Sequence, residues 1–453
     1  MHHIDICQCV SSTQLFFLLT YNKAITIREI AMNKHFHATQ IPDSSLGKIK
    51  INTTSILASR PITNATIQIF DSSNPNKIIQ ELQTDLSGQT EELSLPAPNE
   101  RYSQEPTAQQ PYSQYNLKIM APGFETIEII NAEIFPNTTA VQNVKMLPMD
   151  DALGTSAETF VISPNTLFGD YPPKIAESEV KSLRETGEIV LSRVVIPEYI
   201  VVHDGPPDDS GAMDYYVKYK DYIKNVASSE IYATWPESTI IANILAIQSF
   251  TLNRVYTEWY RNKGYNFNIT TSTAYDQKWV HNRNIFDNIS AIVDGIFDQY
   301  LARPNVSQPI LTQYCDGNRV SCPNWLSQWG SKQLGDQGYS ASEIIKYYYG
   351  DSMYIASAEE ISGIPASWPG RDLSIGSTGS KVAQMQNQLN VISRGYPLIP
   401  KVSEDGIYGE NTAKAVMIFQ QIFGLPETGV VDFTTWYKIS EVYVGVSRIA
   451  ELV

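Results

Sequence analysis

The sequence predicts a multidomain chain: an N-terminal antiparallel β-sandwich, a central α+β region and a small C-terminal bundle of three helices. Three observations carry this expectation. From Gly47 to Pro148, short runs alternate apolar and polar residues between turn-forming residues. From Tyr222 to Arg254, apolar residues recur at helical spacing around one acid, Glu230. From Leu373 onward, helical stretches are punctuated by glycine turns. A chain of 453 residues is too long for one core, and 42% hydrophobic content marks it as globular.

The first region spans 47–148. "GKIKINTTS", "ATIQIFDSS", "YNLKIMAPGFETIEIINAEIF" and "TAVQNVKMLP" read as strands of a sandwich with roughly seven strands. Asn99 to Tyr115 is polar and Pro-containing, which predicts an exposed loop within it. The order "PITNATIQIFD", "GQTEELSLP", "YNLKIMAPGFET" resembles a carboxypeptidase regulatory-like β-sandwich. No catalytic constellation is present, so a structural or pro-segment role is expected. Residues 149–187 carry scattered Pro, Gly and Ser with no sustained period, the composition of a linker. Residues 1–46 form an N-terminal extension in which Leu15 to Leu19 make a poor signal peptide. Met32 is an alternative start.

The central region is expected over 188–355. Ile223, Val226 and Glu230 fall on one face of one helix. Trp235-Pro236 breaks it, and Pro236-Glu237 makes a good first turn for the next. Ile240, Ile241, Ile244, Leu245, Ile247, Phe250 and Leu252 then form a broad buried stripe ending at Asn253-Arg254. A carboxylate on a core face is disfavoured in its charged form, so burial raises its pKa toward acid–base use. The alternative is that Glu230 snorkels or pairs with Lys224.

"NVASSEIYATWPESTIIANILAIQSFTLNR" resembles the opening motif of the stage II sporulation protein D / amidase-enhancer family. "LSQWGSKQLGDQGYSASEIIKYYYG", from Leu326 to Gly350, is similar to that family's Ser-Gln-Trp-Gly segment. "STAYDQKW" stands where the family carries its substrate-side loop. "YIKNVASSEIY", "TEWYRNKGYNF" and "STAYDQ" further resemble the cortex-lytic enzymes of clostridial spores. The resemblance implies a sporulation D-like domain with Glu230 as acid/base. It also implies substrate contacts from Tyr275, Asp276, Gln277, Ser327, Gln328 and Trp329. Some members hold zinc with a His and two Cys. Here Ser272 to Gln277 has neither, and His281 reads as a surface residue, so no metal and no other cofactor is expected. Pro323-Asn324-Trp325-Leu326 replaces the family's His-Gly.

A second linker is expected at 356–370, and then a C-terminal domain at 371–453. "LSIGSTGSKVAQMQNQLN" and "DGIYGENTAKAVMIFQQIFGLPETGVVDFTTW" resemble the peptidoglycan-binding type 1 domain. Val382, Met385, Gln386 and Leu389 give one helix, and Thr412, Ala415, Val416 and Phe419 a second, ended by Gly424. Val431-Asp432 leads to a third. Asp405, Tyr408, Thr412 and Phe419 are the candidate binding residues by that resemblance.

A net charge of −15 argues against nucleic acid, whose phosphates need basic patches. Glycan recognition must then rest on aromatics and hydrogen bonds, which 26 tyrosines can supply. No run of eighteen apolar residues is present, so no membrane span is expected. Cys7 and Cys9 lie near the start; Cys315 and Cys322 either bridge or remain two buried thiols.

Hydrolysis of a glycan strand usually needs two carboxylates, whereas a lytic transglycosylase needs one. Glu230 is the one well-placed acid; Glu237 reads as a first-turn charge, and Asp276 orients substrate or fixes its loop. The expected function is cleavage of spore-cortex peptidoglycan by a lytic transglycosylase during germination, leaving 1,6-anhydromuramic ends. The alternatives are a non-catalytic amidase enhancer and a muramidase using water. The family implies an inactive precursor activated by a subtilisin-like protease, located in the cortex region outside the core membrane.

Overall fold

The computed structural model describes residues 44–56, 60–149, 157–181, 193–358, 360–362 and 368–447. The N-terminal extension, with Cys7, Cys9 and Met32, lies outside the described residues, as do parts of both expected linkers.

The N-terminal strands are β1 (Ser44–Ser55), β2 (Thr66–Asp71), β3 (Asn74–Gln83), β4 (Leu93–Pro98), β5 (Ser113–Met120), β6 (Thr126–Ile134), β7 (Thr139–Met146) and β8 (Ala157–Val161). One sheet runs β3-β2-β5-β6-β8. The sheets are mixed rather than antiparallel, because β1 pairs with β7, and β6 with β8, in parallel. Alternation decides which side faces in. Ile49 and Ile51 on β1, Ile67 and Ile69 on β2, and Leu117 and Ile119 on β5 are all buried in one core.

The second sheet reaches beyond this region. Its order is β13-β7-β1-β4, where β13 is Ile285–Phe286 of the central region. Ile285 pairs with Val141 and Phe286 with Ala140. The expected loop from Asn99 to Tyr115 is likewise not simply exposed. Tyr112 is buried, and the Ser103 carbonyl accepts from Trp235 Nε1 at 2.8 Å. Tertiary contact overrides the polar composition of that stretch.

The central region begins with β9 (Val195–Ile196), β10 (Tyr199–His203) and β11 (Asp214–Lys218), followed by α1 (Tyr219–Glu230) and α2 (Glu237–Tyr256). Helix α1 stops at Glu230 itself, five residues before the expected break at Trp235-Pro236; Ile231 is already extended. Helix α2 starts at Glu237, where Pro236 places the chain without a lost N–H bond. Then come β12 (Ile269–Thr270), α3 (Asp287–Ile296), β14 (Gln299–Ala302), β15 (Tyr314–Cys315) and β16 (Leu326–Ser327). Helices α4 (Gln328–Asp336) and α5 (Ala341–Tyr349), with β17 (Tyr354–Ser357) and β18 (Glu360–Ile361), complete it. Helix α2 is the hub, buried nearly all round and touching α1, α3, α4 and α5.

The C-terminal helices are α6 (Ser380–Ile392), α7 (Glu410–Ile422) and α8 (Phe433–Ser447). Gly406 and Gly424 adopt φ of +71° and +68°, so the Asp405-Gly406 turn and the end of α7 need glycine's left-handed freedom. Helix α8 packs on α6 and also on α3. Its Glu441 pairs with Lys220 of α1 at 2.8 Å, and its Tyr437 ring packs edge-on against Phe297. Among the described residues, no helix is long and apolar enough to cross a membrane.

Candidate functional site

Glu230 ends α1 with its side chain turned into the protein, 3% exposed. Lys224 does not pair with it; that ammonium meets Asp294 at 2.6 Å. Glu230 Oε1 instead accepts the Lys278 backbone N–H at 2.7 Å, and Oε2 accepts the Tyr314 hydroxyl. Burial raises the carboxyl pKa, while the Lys174 charge and the two hydrogen bonds pull it back; the net direction is up. The C-terminal end of α1 acts in the same direction as burial. Tyr314 itself is pushed well above the ordinary phenol value, by burial first and the Glu230 charge second, so it stays a donor.

The "STAYDQKW" loop lies beside this carboxyl. Asp276 is fully buried and its oxygens are already engaged: Arg254 Nε at 2.7 Å, Tyr260 Oη at 2.6 Å, and Thr270 N and Oγ1 at 2.9 and 2.7 Å. Of the two roles expected for it, orienting substrate or fixing the loop, this bonding supports the second. Gln277 is equally engaged. Its Oε1 accepts from Tyr222 and Thr251, and its Nε2 donates to the Ile247 carbonyl. Tyr275 is half-exposed, and its carbonyl accepts from Arg254. Together these bonds place the Lys278 N–H against Glu230.

The Ser-Gln-Trp-Gly segment approaches from the other side. Ser327 caps α4 by accepting the Gly330 N–H at 3.0 Å. Gln328 Nε2 donates to the Glu230 carbonyl at 2.9 Å. Trp329 is buried against Trp235, with ring centroids 5.0 Å apart. A side chain at Gly330 would collide with the Tyr348 hydroxyl, which accounts for the glycine. Gln328 thereby holds the end of α1 in place, and only Ser327 of the three is not buried.

Tyr314 and Lys174 escaped the sequence reading. Tyr314 sits on two-residue β15, too short for a periodicity signal, yet Cys315 and Cys322 bridge just after it and mark the place. Lys174 comes from the expected linker. Over its described residues 157–181 that stretch is seated on the protein: Ile162 and Asn165 are buried, and Lys174 Nζ donates to the Asp276 carbonyl. His281 is partly buried; it stacks on Trp279 and lies tilted against Tyr215, and burial lowers its pKa. Glu237 stays exposed at the first turn of α2. Among the described residues, no group of three His, Cys, Asp or Glu gathers as a metal site would need. An apolar cavity of about 60 Å³ lies apart from Glu230, where Phe297, Tyr219 and Lys220 meet Tyr437 and Glu441.

In the C-terminal domain, three of four candidate binding residues are core. Tyr408, Thr412 and Phe419 are buried, with the Tyr408 hydroxyl spent on the Gly429 carbonyl at 2.8 Å and Thr412 accepting from Gln386. Side chains that fill a bundle interior cannot touch a polymer. Only Asp405 is exposed, and it accepts the Ile407 N–H and the Gln386 amide.

Residues 378–439 match the family model for a peptidoglycan binding domain, and a peptidoglycan-binding type 1 domain is present there. No curated protein matches the chain in a sequence search. Among solved structures, the SleB N-terminal domain is similar at 25% identity and a TM-score of 0.15, covering 17% of this chain and 99% of that one. The Bacillus anthracis TIE protein is similar at 19% identity and a TM-score of 0.17, covering 24% of this chain and 20% of that one. GBS52, the minor pilin of Streptococcus agalactiae, is similar at 13% identity and a TM-score of 0.17, covering 25% and 48%. Likenesses this partial set no fold for the whole chain.

Proposed function

We propose that the chain is a lytic transglycosylase that cuts peptidoglycan glycan strands, with Glu230 as its single acid/base. The observation that carries this reading is a buried carboxyl whose pKa is raised and which holds two hydrogen-bond donors. Protonated Glu230 gives its proton to the glycosidic oxygen as the C1–O bond breaks. The muramic C6 hydroxyl then attacks C1 with an electron pair, and its proton passes to the Glu230 carboxylate. The proton count closes, no water is consumed, and a 1,6-anhydro ring is the product. Tyr314 and the Lys278 N–H hold both carboxyl oxygens, so the group reaches the glycosidic bond in one orientation.

The peptidoglycan-binding domain supports the polymer as partner. The spore cortex as location, germination as occasion and a subtilisin-like protease as activator belong to the same proposal, supported by the family resemblance of the central motifs. The N-terminal strands would then be a pro-segment. Mass spectrometry of fragments released from cortex sacculi tests the reaction: 1,6-anhydromuramic ends support it, and reducing muramic ends would make the enzyme a hydrolase. Release of no glycan fragment, with stimulation of a separate amidase, would favour the enhancer role.

A further inference from the structure

We propose that residues 162–181 form a self-inhibitory strap: Tyr171 and Lys174 cover the two residues that hydrogen-bond Glu230, and a glycan strand binds only when the strap lifts. This rests on Glu230 marking the substrate cleft. Lys174 Nζ lies over the Tyr314 ring, 5.0 Å from its centroid, and the Lys278 ammonium lies 5.1 Å from the Tyr171 ring centroid. Tyr314, through its hydroxyl, and Lys278, through its backbone N–H, are the donors to the Glu230 carboxyl, so the strap contacts the residue that holds each carboxyl oxygen. Burial lowers the Lys174 pKa, and while the ammonium is charged it favours the ionised form of Glu230 over the acid.

The strap behaves as an extended ligand docked in a groove. Its Thr166 N–H donates to the Ser229 carbonyl at 2.9 Å, and its Ile175 N–H to the Ala274 carbonyl at 2.7 Å. Gln313 brackets it, donating to the Ile175 carbonyl at 2.6 Å and accepting the Glu177 N–H at 2.8 Å. Arg319, in the loop closed by the Cys315–Cys322 disulfide, donates to the Thr166 and Gly169 carbonyls. Pro172-Pro173 fixes the backbone as extended just before Lys174, which lowers the entropy lost on docking.

How the strap is held also makes it removable. Ile162, Asn165 and Leu167 anchor its start by burial and Lys181 its end, but Ile175 and Val180 between them point outward, 48% and 39% exposed. Between those ends the attachment is mainly hydrogen bonds and the ion pairs of Glu177 with Arg254 and of Glu179 with Arg303. The stretch 169–180, with polar attachment and no buried residue, belongs to the low-stability end of local opening.

The test measures binding without turnover. In a Glu230→Gln background, calorimetry with an N-acetylglucosamine–muramic acid tetrasaccharide compares the parent with Lys174→Ala/Glu177→Ala. A cleft open about a tenth of the time weakens apparent affinity about tenfold, so loosening the strap should tighten binding by about that factor. Should the double variant fail to fold, Lys174→Ala alone and the exposed Arg319→Ala decide in the same assay and should both tighten binding. Equal or weaker binding in the folded variants overturns the strap. Cleavage by the same variants with Glu230 intact is read separately. Tighter binding without anhydro ends would overturn the transglycosylase reading and leave the strap standing.

Discussion

Gln328 donates its side-chain amide to the main-chain carbonyl of Glu230 at 2.9 Å, although the two residues stand 98 apart in sequence. The bond closes the open end of α1, where the last carbonyls have no helical partner, with a residue from the first turn of α4. The carboxyl that follows from that carbonyl is thereby set on a rigid support.

Replacing Glu230 by Gln keeps the shape and removes the transferable proton. Glycan cleavage should fall by about 10²–10⁴ or more, with binding to sacculi unchanged. Fragment yield by mass spectrometry checks it, and cleavage at the parent rate would remove Glu230 from the mechanism.

The same substitution should change stability with a defined sign. The folded-state pKa of Glu230 is raised above its ordinary 4.5, so the folded state holds the proton more tightly than the unfolded chain. Stability therefore falls as pH rises from about 4.5 through the raised folded value. Melting curves across that window should show the fall in the parent and less of it in Glu230→Gln. Identical slopes would count against a raised pKa.

Tyr314→Phe removes one donor from a buried carboxylate. A hydrogen bond to a charged group is worth about 1.5–3 kcal/mol, so the acid form gains and the alkaline limb of the pH–rate profile should move upward. A limb that stays in place while only the rate drops would assign Tyr314 to packing alone.

Glu133 and Arg283 form an ion pair with both side chains fully buried, linking β6 to the residues just before β13. Arg283→Met leaves the Glu133 carboxyl without its cation and should cost about 3–5 kcal/mol. Chemical denaturation should show it. The pair and the β7–β13 pairing also predict that a chain nicked between 149 and 187 keeps its N-terminal fragment attached. Co-elution on a sizing column after nicking is the expected result; spontaneous separation would show that the shared sheet is weak.

Removing 371–453 should weaken pelleting with insoluble peptidoglycan more than cleavage of short soluble strands, since a tethered binding domain raises local concentration only on a polymer. It should also lower the melting temperature, because Lys220 loses Glu441 and buried Phe297 loses Tyr437. Equal pelleting of both proteins would argue against binding through this domain.

The sequence by itself determined what depends on local pattern. Alternation located β1, β2, β5, β6 and β7 but not β3, β4 or β8, Pro236-Glu237 located the start of α2, and the glycine turns located the three C-terminal helices. Glu230 stood out because an acid on an apolar helical face conflicts with its neighbours. What depended on distant residues was not legible. The spacing of Ile223, Val226 and Glu230 could not show that α1 ends at Glu230, because Gln328 and Tyr314 hold that end from 98 and 84 residues away. Composition marked residues 149–187 as a linker, since polar residues and prolines bury little apolar surface; backbone bonds to Ser229 and Ala274 seat Thr166 and Ile175 instead. Motif resemblance singled out Tyr408, Thr412 and Phe419 without distinguishing a residue that touches ligand from one that fills a core. Burial and long-range hydrogen bonding are properties of the packed chain, and only the tertiary structure decided them.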